Sequence, residues 1–173
     1  MATAHGIVGL GSCLCLIVFF LAGGVFGGIN DVANAVLGVL SAVLAWMWRS
    51  STVLLVIAAL GAAIAVVGSV LILTDTTGFF LAGLVSSVGF ALIGVWLVTV
   101  NRRSADRSLP APLPRAGLVA GIVMLLGFVN APGIVMGLDD MDAAPAWTYL
   151  GGLSWAGPYL LFPSWSLRLS RVP

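Results

Sequence analysis

The chain has 173 residues, of which 61% are hydrophobic and 8% charged, and its formal net charge is +1. That composition leaves too little polar surface to cover a water-soluble core, so lipid is the expected solvent for most of the chain. Low net charge without a clustered basic tract also excludes nucleic acid as a partner, which would need a concentrated electrostatic footprint.

Six apolar segments have roughly the 20 residues that a membrane crossing needs. They fall near 6–26, 30–48, 52–73, 79–100, 115–137 and 146–167. The expected fold is therefore all-α, a polytopic membrane protein built as a single domain, an up-and-down bundle of six transmembrane helices.

The first segment lacks a basic n-region and is longer than a signal h-region, so it reads as an uncleaved span. Cys13 and Cys15 point to opposite sides of such a helix and serve as small apolar filler. At its far end the overlapping pairs Gly23 with Gly27 and Gly24 with Gly28 have GxxxG spacing, which favours close crossing of helices within a monomer or between protomers. The first connection is expected around Gly27 to Ile29.

The second segment carries the clearest pattern. Gly27, Asp31, Asn34, Gly38, Ser41 and Ala45 recur at steps of four and three residues, which gathers small and polar side chains on one helix face. Such a face is first a packing surface and second a water-accessible path. Asn30 reads as an N-cap and Asp31 as a first-turn acid complementing the helix dipole. Asn34 lies a turn deeper, where capping cannot explain it, so it needs a partner.

The third and fourth segments follow after Arg49 to Ser51 and Thr74 to Gly78, connections short enough to force antiparallel neighbours. Gly83, Ser87 and Gly94 share a face of the fourth. The connection from Asn101 to Pro114 carries Arg102, Arg103, Asp106 and Arg107, and Pro110, Pro112 and Pro114 predict an extended strut. In the fifth segment Gly117 with Gly121 and Gly133 with Gly137 repeat the GxxxG spacing. Asn130 is the candidate partner of Asn34, and Pro132 predicts a kink or break. The last connection, Leu138 to Pro145, is acidic and reads as a solvated loop. Pro158 predicts a kink in the sixth segment beside Trp155 and Tyr159.

All seven basic residues are Arg, at 49, 102, 103, 107, 115, 168 and 171, and they fall in alternate gaps. Five of the six acids, Asp31, Asp75, Asp139, Asp140 and Asp142, fall in the others. Arg-bearing loops stay cytoplasmic, so both termini are expected inside a plasma (inner) membrane, with the acidic turns outside. Trp46, Trp48 and Trp165 then sit at the inner interface, and Trp147 and Tyr149 at the outer one. The Arg side chains would meet anionic lipid headgroups. The absence of Lys and Glu, with abundant Ala, Gly, Val, Leu and Arg, points to a GC-rich bacterial genome. Each outer turn also carries an Asp seven residues after a Gly, at Gly24/Asp31, Gly68/Asp75 and Gly133/Asp140, a pattern that three related hairpins would produce.

No catalytic or metal constellation is legible. There is no Ser/His/Asp set, no HExxH, and no Cys pairing with metal spacing. The chain's single His, His5, cannot make a bis-His haem site, and a chain without Lys cannot carry a retinal Schiff base. No cofactor is therefore expected. The leading expectation is a non-catalytic, helix-packing or accessory subunit of a membrane assembly, or a small homo-oligomer, with Gly24, Gly28, Gly38, Gly133 and Gly137 as packing positions. The alternative is a small transporter or cation pathway with a polar outer-face site at Asn30, Asp31, Asn34 and Asn130.

Overall fold

The computed structural model describes residues 1–48, 51–103, 109–110 and 112–172. The described residues are helical apart from turns and short connections, and they contain no strand. Arg49, Asp106 and Arg107 of the expected cytoplasmic connections lie outside them.

Six antiparallel rods follow one another around the bundle. The first four are single helices, α1 (Ala2–Ala22), α2 (Phe26–Met47), α3 (Thr52–Leu73) and α4 (Phe79–Arg102). The fifth comprises α5 (Pro112–Leu125), a 3-10 turn (Leu126–Asn130) and α6 (Ala131–Val135). The sixth comprises α7 (Trp147–Gly152), a 3-10 turn (Leu153–Trp155), a π turn (Gly157–Leu161) and α8 (Phe162–Leu169). Each rod packs on its chain neighbours, and α8 closes the ring against α1. Five helical stretches, the fifth running Pro112–Val135, are long and apolar enough to cross a membrane. Large apolar side chains face outward around the bundle, including Ile7, Leu14, Val53 and Val135.

The rod ends sort the charges. The described Arg residues lie at one end of the bundle, and Asp31, Asp75, Asp139, Asp140 and Asp142 lie in the other half. These are called below the Arg end and the Asp end.

Several expected boundaries move for identifiable reasons. Gly23 and Gly24 have φ of 68° and 76°, a left-handed backbone that terminates α1 earlier than expected and lets α2 start at Phe26. Asn30 and Asp31 are consequently well inside α2, and Asn30 is no N-cap. Pro112 and Pro114 open α5 instead of forming a strut, because the first turn of a helix needs no bonded N–H from them. Pro132 does not break the fifth rod. It has no N–H to offer the Phe128 carbonyl, and the Ala131 N–H takes that carbonyl in a tighter 3-10 bond. The sixth rod widens at Pro158, where the Phe162 N–H reaches five residues back to the Gly157 carbonyl.

Glycine makes the close crossings. A Cβ on Gly61 would stand 2.5 Å from the Gly89 carbonyl, and one on Gly89 would stand 2.6 Å from the Gly61 carbonyl, so α3 and α4 touch backbone to backbone. Gly94 and Gly121 do the same for α4 and α5, each meeting the other's carbonyl at 2.9 Å. Gly38 packs on Ala62 and Ala65 of α3, and Gly133 packs on Leu84 and Trp147. Gly24, Gly28 and Gly137 are different, because a Cβ there meets nothing within 4 Å. They do not pack helices together within this chain. Gly24 and Gly137 make turns, with φ of 76° and 63°, and Gly28 lies on an open helix face. Gly28 and Gly137, which a hairpin repeat would align, thus differ in conformation, and Asp31, Asp75 and Asp140 sit in a helix, a turn and a loop respectively.

The core is richest towards the Arg end. His5, Trp48, Trp96, Phe162 and Trp165 form a chain of ring contacts with centroids 4.1 to 6.3 Å apart. Trp165 is fully buried in it and is a core residue, not an interfacial one; Trp46, Trp147 and Tyr149 remain peripheral.

Gly61→Ala is expected to destabilise the protein by about 1 to 3 kcal/mol through overpacking at α3–α4. Gly11→Ala, on an open face of α1, should be neutral or stabilising by up to about 1 kcal/mol. Thermal unfolding of the two variants in detergent checks the contrast.

Candidate functional site

The buried face of α2 is the face expected from its spacing: Gly27, Asn30, Asp31, Asn34, Leu37, Gly38, Ser41, Leu44 and Ala45. Its polar members divide into two layers, each completed by α1 and the sixth rod.

In the layer nearer the Asp end, the Ser12 hydroxyl donates to Asn30 Oδ1 at 2.8 Å. Asn34 Nδ2 donates to the Tyr159 hydroxyl at 2.9 Å, and that hydroxyl donates onward to Asn30 Oδ1 at 3.1 Å. Three rods are therefore tied by one directed network of buried groups. The partner of Asn34 is Tyr159, with Ser12 also 3.3 Å from its carbonyl oxygen, and not Asn130.

The second layer lies two turns nearer the Arg end. His5 bridges Ser41 and Ser166, with Nε2 3.1 Å from the Ser41 hydroxyl and Nδ1 2.9 Å from the Ser166 hydroxyl. Ser41 already donates to the Leu37 carbonyl at 2.7 Å. Its oxygen therefore accepts from His5 Nε2–H, and in the neutral imidazole with that tautomer Nδ1 accepts from Ser166. His5/Ser12, Asn34/Ser41 and Tyr159/Ser166 are each seven residues apart, so each pair lies on one helix face.

Above the upper layer, within the Asp half, is a cavity of about 400 Å³. Asn30, Asp31, Asn34 and Tyr159 contribute to its lining from one side. Leu16 and Phe20 of α1, Ser69 and Ile72 of α3, Phe79 and Phe80 of α4, and Trp155 of the sixth rod make largely apolar walls. Trp155 is stacked on Tyr159 with ring centroids 5.2 Å apart. The volume falls within the roughly 300 to 1,000 Å³ of small-molecule sites.

Asp31 is 8% exposed. Its carboxyl accepts one long hydrogen bond, from Asn30 Nδ2 at 3.5 Å. No ion pair to it is present among the described residues. Asn130 lines the same cavity from the fifth rod. Its Nδ2 donates to the Ser87 hydroxyl at 2.8 Å, while its Oδ1 is buried without a partner. The four expected polar residues thus border one cavity, although Asn130 belongs to a separate hydrogen-bond pair.

The acidic connection after α6 is partly structural. The Asp139 carboxylate accepts from the backbone N–H of Gly78 at 2.5 Å and of Leu81 at 3.1 Å, capping α4 from a distant part of the chain. Gly78 has no side chain to cap its own helix, so Asp139 supplies the missing acceptor. That bond anchors the segment whose Met141 and Ala144 border the cavity. Asp140 makes a local turn by accepting from the Asp142 N–H at 2.9 Å. Among the described residues, no group of three or more His, Cys, Asp or Glu side chains could hold a metal ion.

No protein-family model, curated protein or solved structure matches the chain, so the site is interpreted from its own geometry. Ser12, Tyr159, His5 and Ser166 were not singled out as site residues in the sequence. Their shared interval of seven on two rods, matched by Asn34 and Ser41 on α2, is the signal that could have found them.

Tyr159→Phe removes the acceptor of Asn34 Nδ2 and a donor to Asn30 Oδ1 and should cost about 1 to 3 kcal/mol in thermal unfolding. Asp139→Ala should cost about 1 kcal/mol by uncapping α4. It should also raise hydrogen exchange at Gly78 and Leu81 above that of the unchanged chain.

Proposed function

We propose that the chain is a six-span integral membrane protein of the plasma (inner) membrane, with both termini cytoplasmic and the Asp end outside. Its work is to bind a small solute in the chamber of the outer half and to pass it towards the membrane interior. The reading is of binding and passage, not of catalysis. Its insertion is supported by the outward-facing apolar side chains, which water would not tolerate on this scale. Its orientation is supported by the described Arg residues collecting at one end.

The observation that carries the functional reading is a carboxyl with one long hydrogen bond, set in the wall of a largely apolar 400 Å³ chamber. A polar or ionisable group at membrane depth is costly unless it is partnered or serves a cavity. Asn30 and Asn34 are explained by Ser12 and Tyr159. Asp31 is not explained by packing and opens on the chamber. Towards the Arg end the centre of the bundle is filled by the aromatic chain of Trp96, Phe162 and Trp165, which supports reading the chamber as closed on the inner side.

The accessory-subunit reading has one observation in its favour. Gly11 and Gly28 leave open faces on α1 and α2 with nothing within 4 Å, where a second membrane protein could approach closely. Gly28→Leu, which strains no backbone, should then dissociate any complex isolated in mild detergent while leaving the monomer folded.

For the chamber, single cysteines replacing Ile72 or Ala144, both partly exposed lining residues, in a Cys13→Ala, Cys15→Ala background are expected to react with a membrane-impermeant maleimide added outside intact cells. A cysteine at Ala120, which is fully buried on α5 away from the chamber, should not react. Labelling at positions 72 and 144 only after the cells are opened would refute an outward-facing chamber.

A further inference from the structure

The chamber's chemistry is unbalanced. Asp31 is the only carboxyl among its lining residues, and no basic side chain lines it. Ser69 Oγ and Asn130 Oδ1 also lack a hydrogen-bond partner, but both atoms are closed off by packing, Asn130 Oδ1 against Gly151. The amide nitrogens of Asn34 and Asn130 each donate one hydrogen bond, to Tyr159 and Ser87. The acceptor that the chamber presents to a ligand is therefore the Asp31 carboxyl, whose one hydrogen bond is long, and an under-satisfied buried acceptor costs free energy that a ligand's donor can recover.

The rest of the lining is aromatic and aliphatic. Phe20, Phe79, Phe80 and Trp155 supply the rings, whose faces attract a cation as well as covering apolar surface. Phe79 is itself held against Phe20, with ring centroids 6.2 Å apart. An anion would meet the Asp31 carboxyl with no cation to receive it. A bare divalent metal would find one carboxyl where several oxygen ligands are needed, and its hydration shell would face hydrocarbon.

We infer that the chamber takes a small organic ammonium ion with an apolar body. Its N–H groups are received by the Asp31 carboxyl, and its body is enclosed by Phe20, Phe79, Phe80 and Trp155. The inference rests on the reading of the chamber as a small-molecule site and names the ligand class that such a site selects. Asp31 supplies the charge preference and the aromatic walls supply the affinity for the body, so the two contributions separate experimentally.

Three probes of similar size but different charge distinguish them: 2-phenylethylammonium, 2-phenylethanol and phenylacetate. Each is titrated calorimetrically at pH 7 into the full chain in detergent micelles, with empty micelles subtracted. The ammonium is expected to bind saturably and about tenfold or more tightly than the alcohol, the ratio that a charge-assisted hydrogen bond supports, and phenylacetate should bind most weakly. Asp31→Asn should bring the ammonium down to the affinity of the alcohol while leaving the alcohol's own affinity within about twofold. Trp155→Leu should weaken the ammonium and the alcohol together.

Equal binding of alcohol and ammonium by the wild-type chain would overturn the ammonium assignment while leaving a small-molecule chamber intact, and this comparison needs no variant to fold. An unchanged ammonium preference in a folded Asp31→Asn chain would also overturn it. Binding of none of the three probes would overturn the assignment together with the reading on which it rests.

Discussion

The network joining Ser12, Asn30, Asn34 and Tyr159 is the constraint on which the rest of the structure depends. Polar side chains buried in a helix bundle must find partners, because neither hydrocarbon nor packed protein replaces the hydrogen bonds of water. Here the partners come from the first two rods and from the last, far along the chain. Asn34 and Tyr159 are 125 residues apart, yet their side chains meet at 2.9 Å. Satisfying them brings the last rod beside the first two and closes the ring. The His5, Ser41 and Ser166 layer repeats the device two turns away, which holds the three rods in register along half their length.

That register explains why the two halves of the bundle differ. Below the upper layer, Gly6 and Gly9 let α1 approach Pro163 and Leu167 closely, and the large rings of Trp96, Phe162 and Trp165 fill the centre. Above it, the rods and the segment that Asp139 anchors to α4 surround the cavity. Space remains there, and Asp31 borders it. The π turn carrying Tyr159 contributes directly: a widened turn re-aims one side chain without ending the rod, and it lets the Tyr159 hydroxyl reach two Asn residues of α2.

The polar stripe of α2 accordingly has two characters. Gly38 and Ala45 serve dry packing, and Ser41 serves the His5 layer. Asn30 and Asn34 are shared between the network and the chamber, and Asp31 belongs to the chamber. A stripe that looks uniform in sequence is divided by what the other rods present to each position.

Local composition already carries much of this. Apolar length and antiparallel order follow from local composition and short connections, which is why the six segments, the separation of Arg from Asp and the buried face of α2 were legible. Helix ends were less so, because Gly23 and Gly24 compete with Asn30 as the start of α2 and only backbone geometry shows which wins. The tertiary structure decided the rest. It paired Asn34 with Tyr159 and not Asn130, buried Trp165, left Gly24, Gly28 and Gly137 without helix contacts, and made Asp139 the cap of another helix. Each of these depends on which faces meet across the ring, and helical periodicity specifies the face of a residue without specifying the neighbour it will find there.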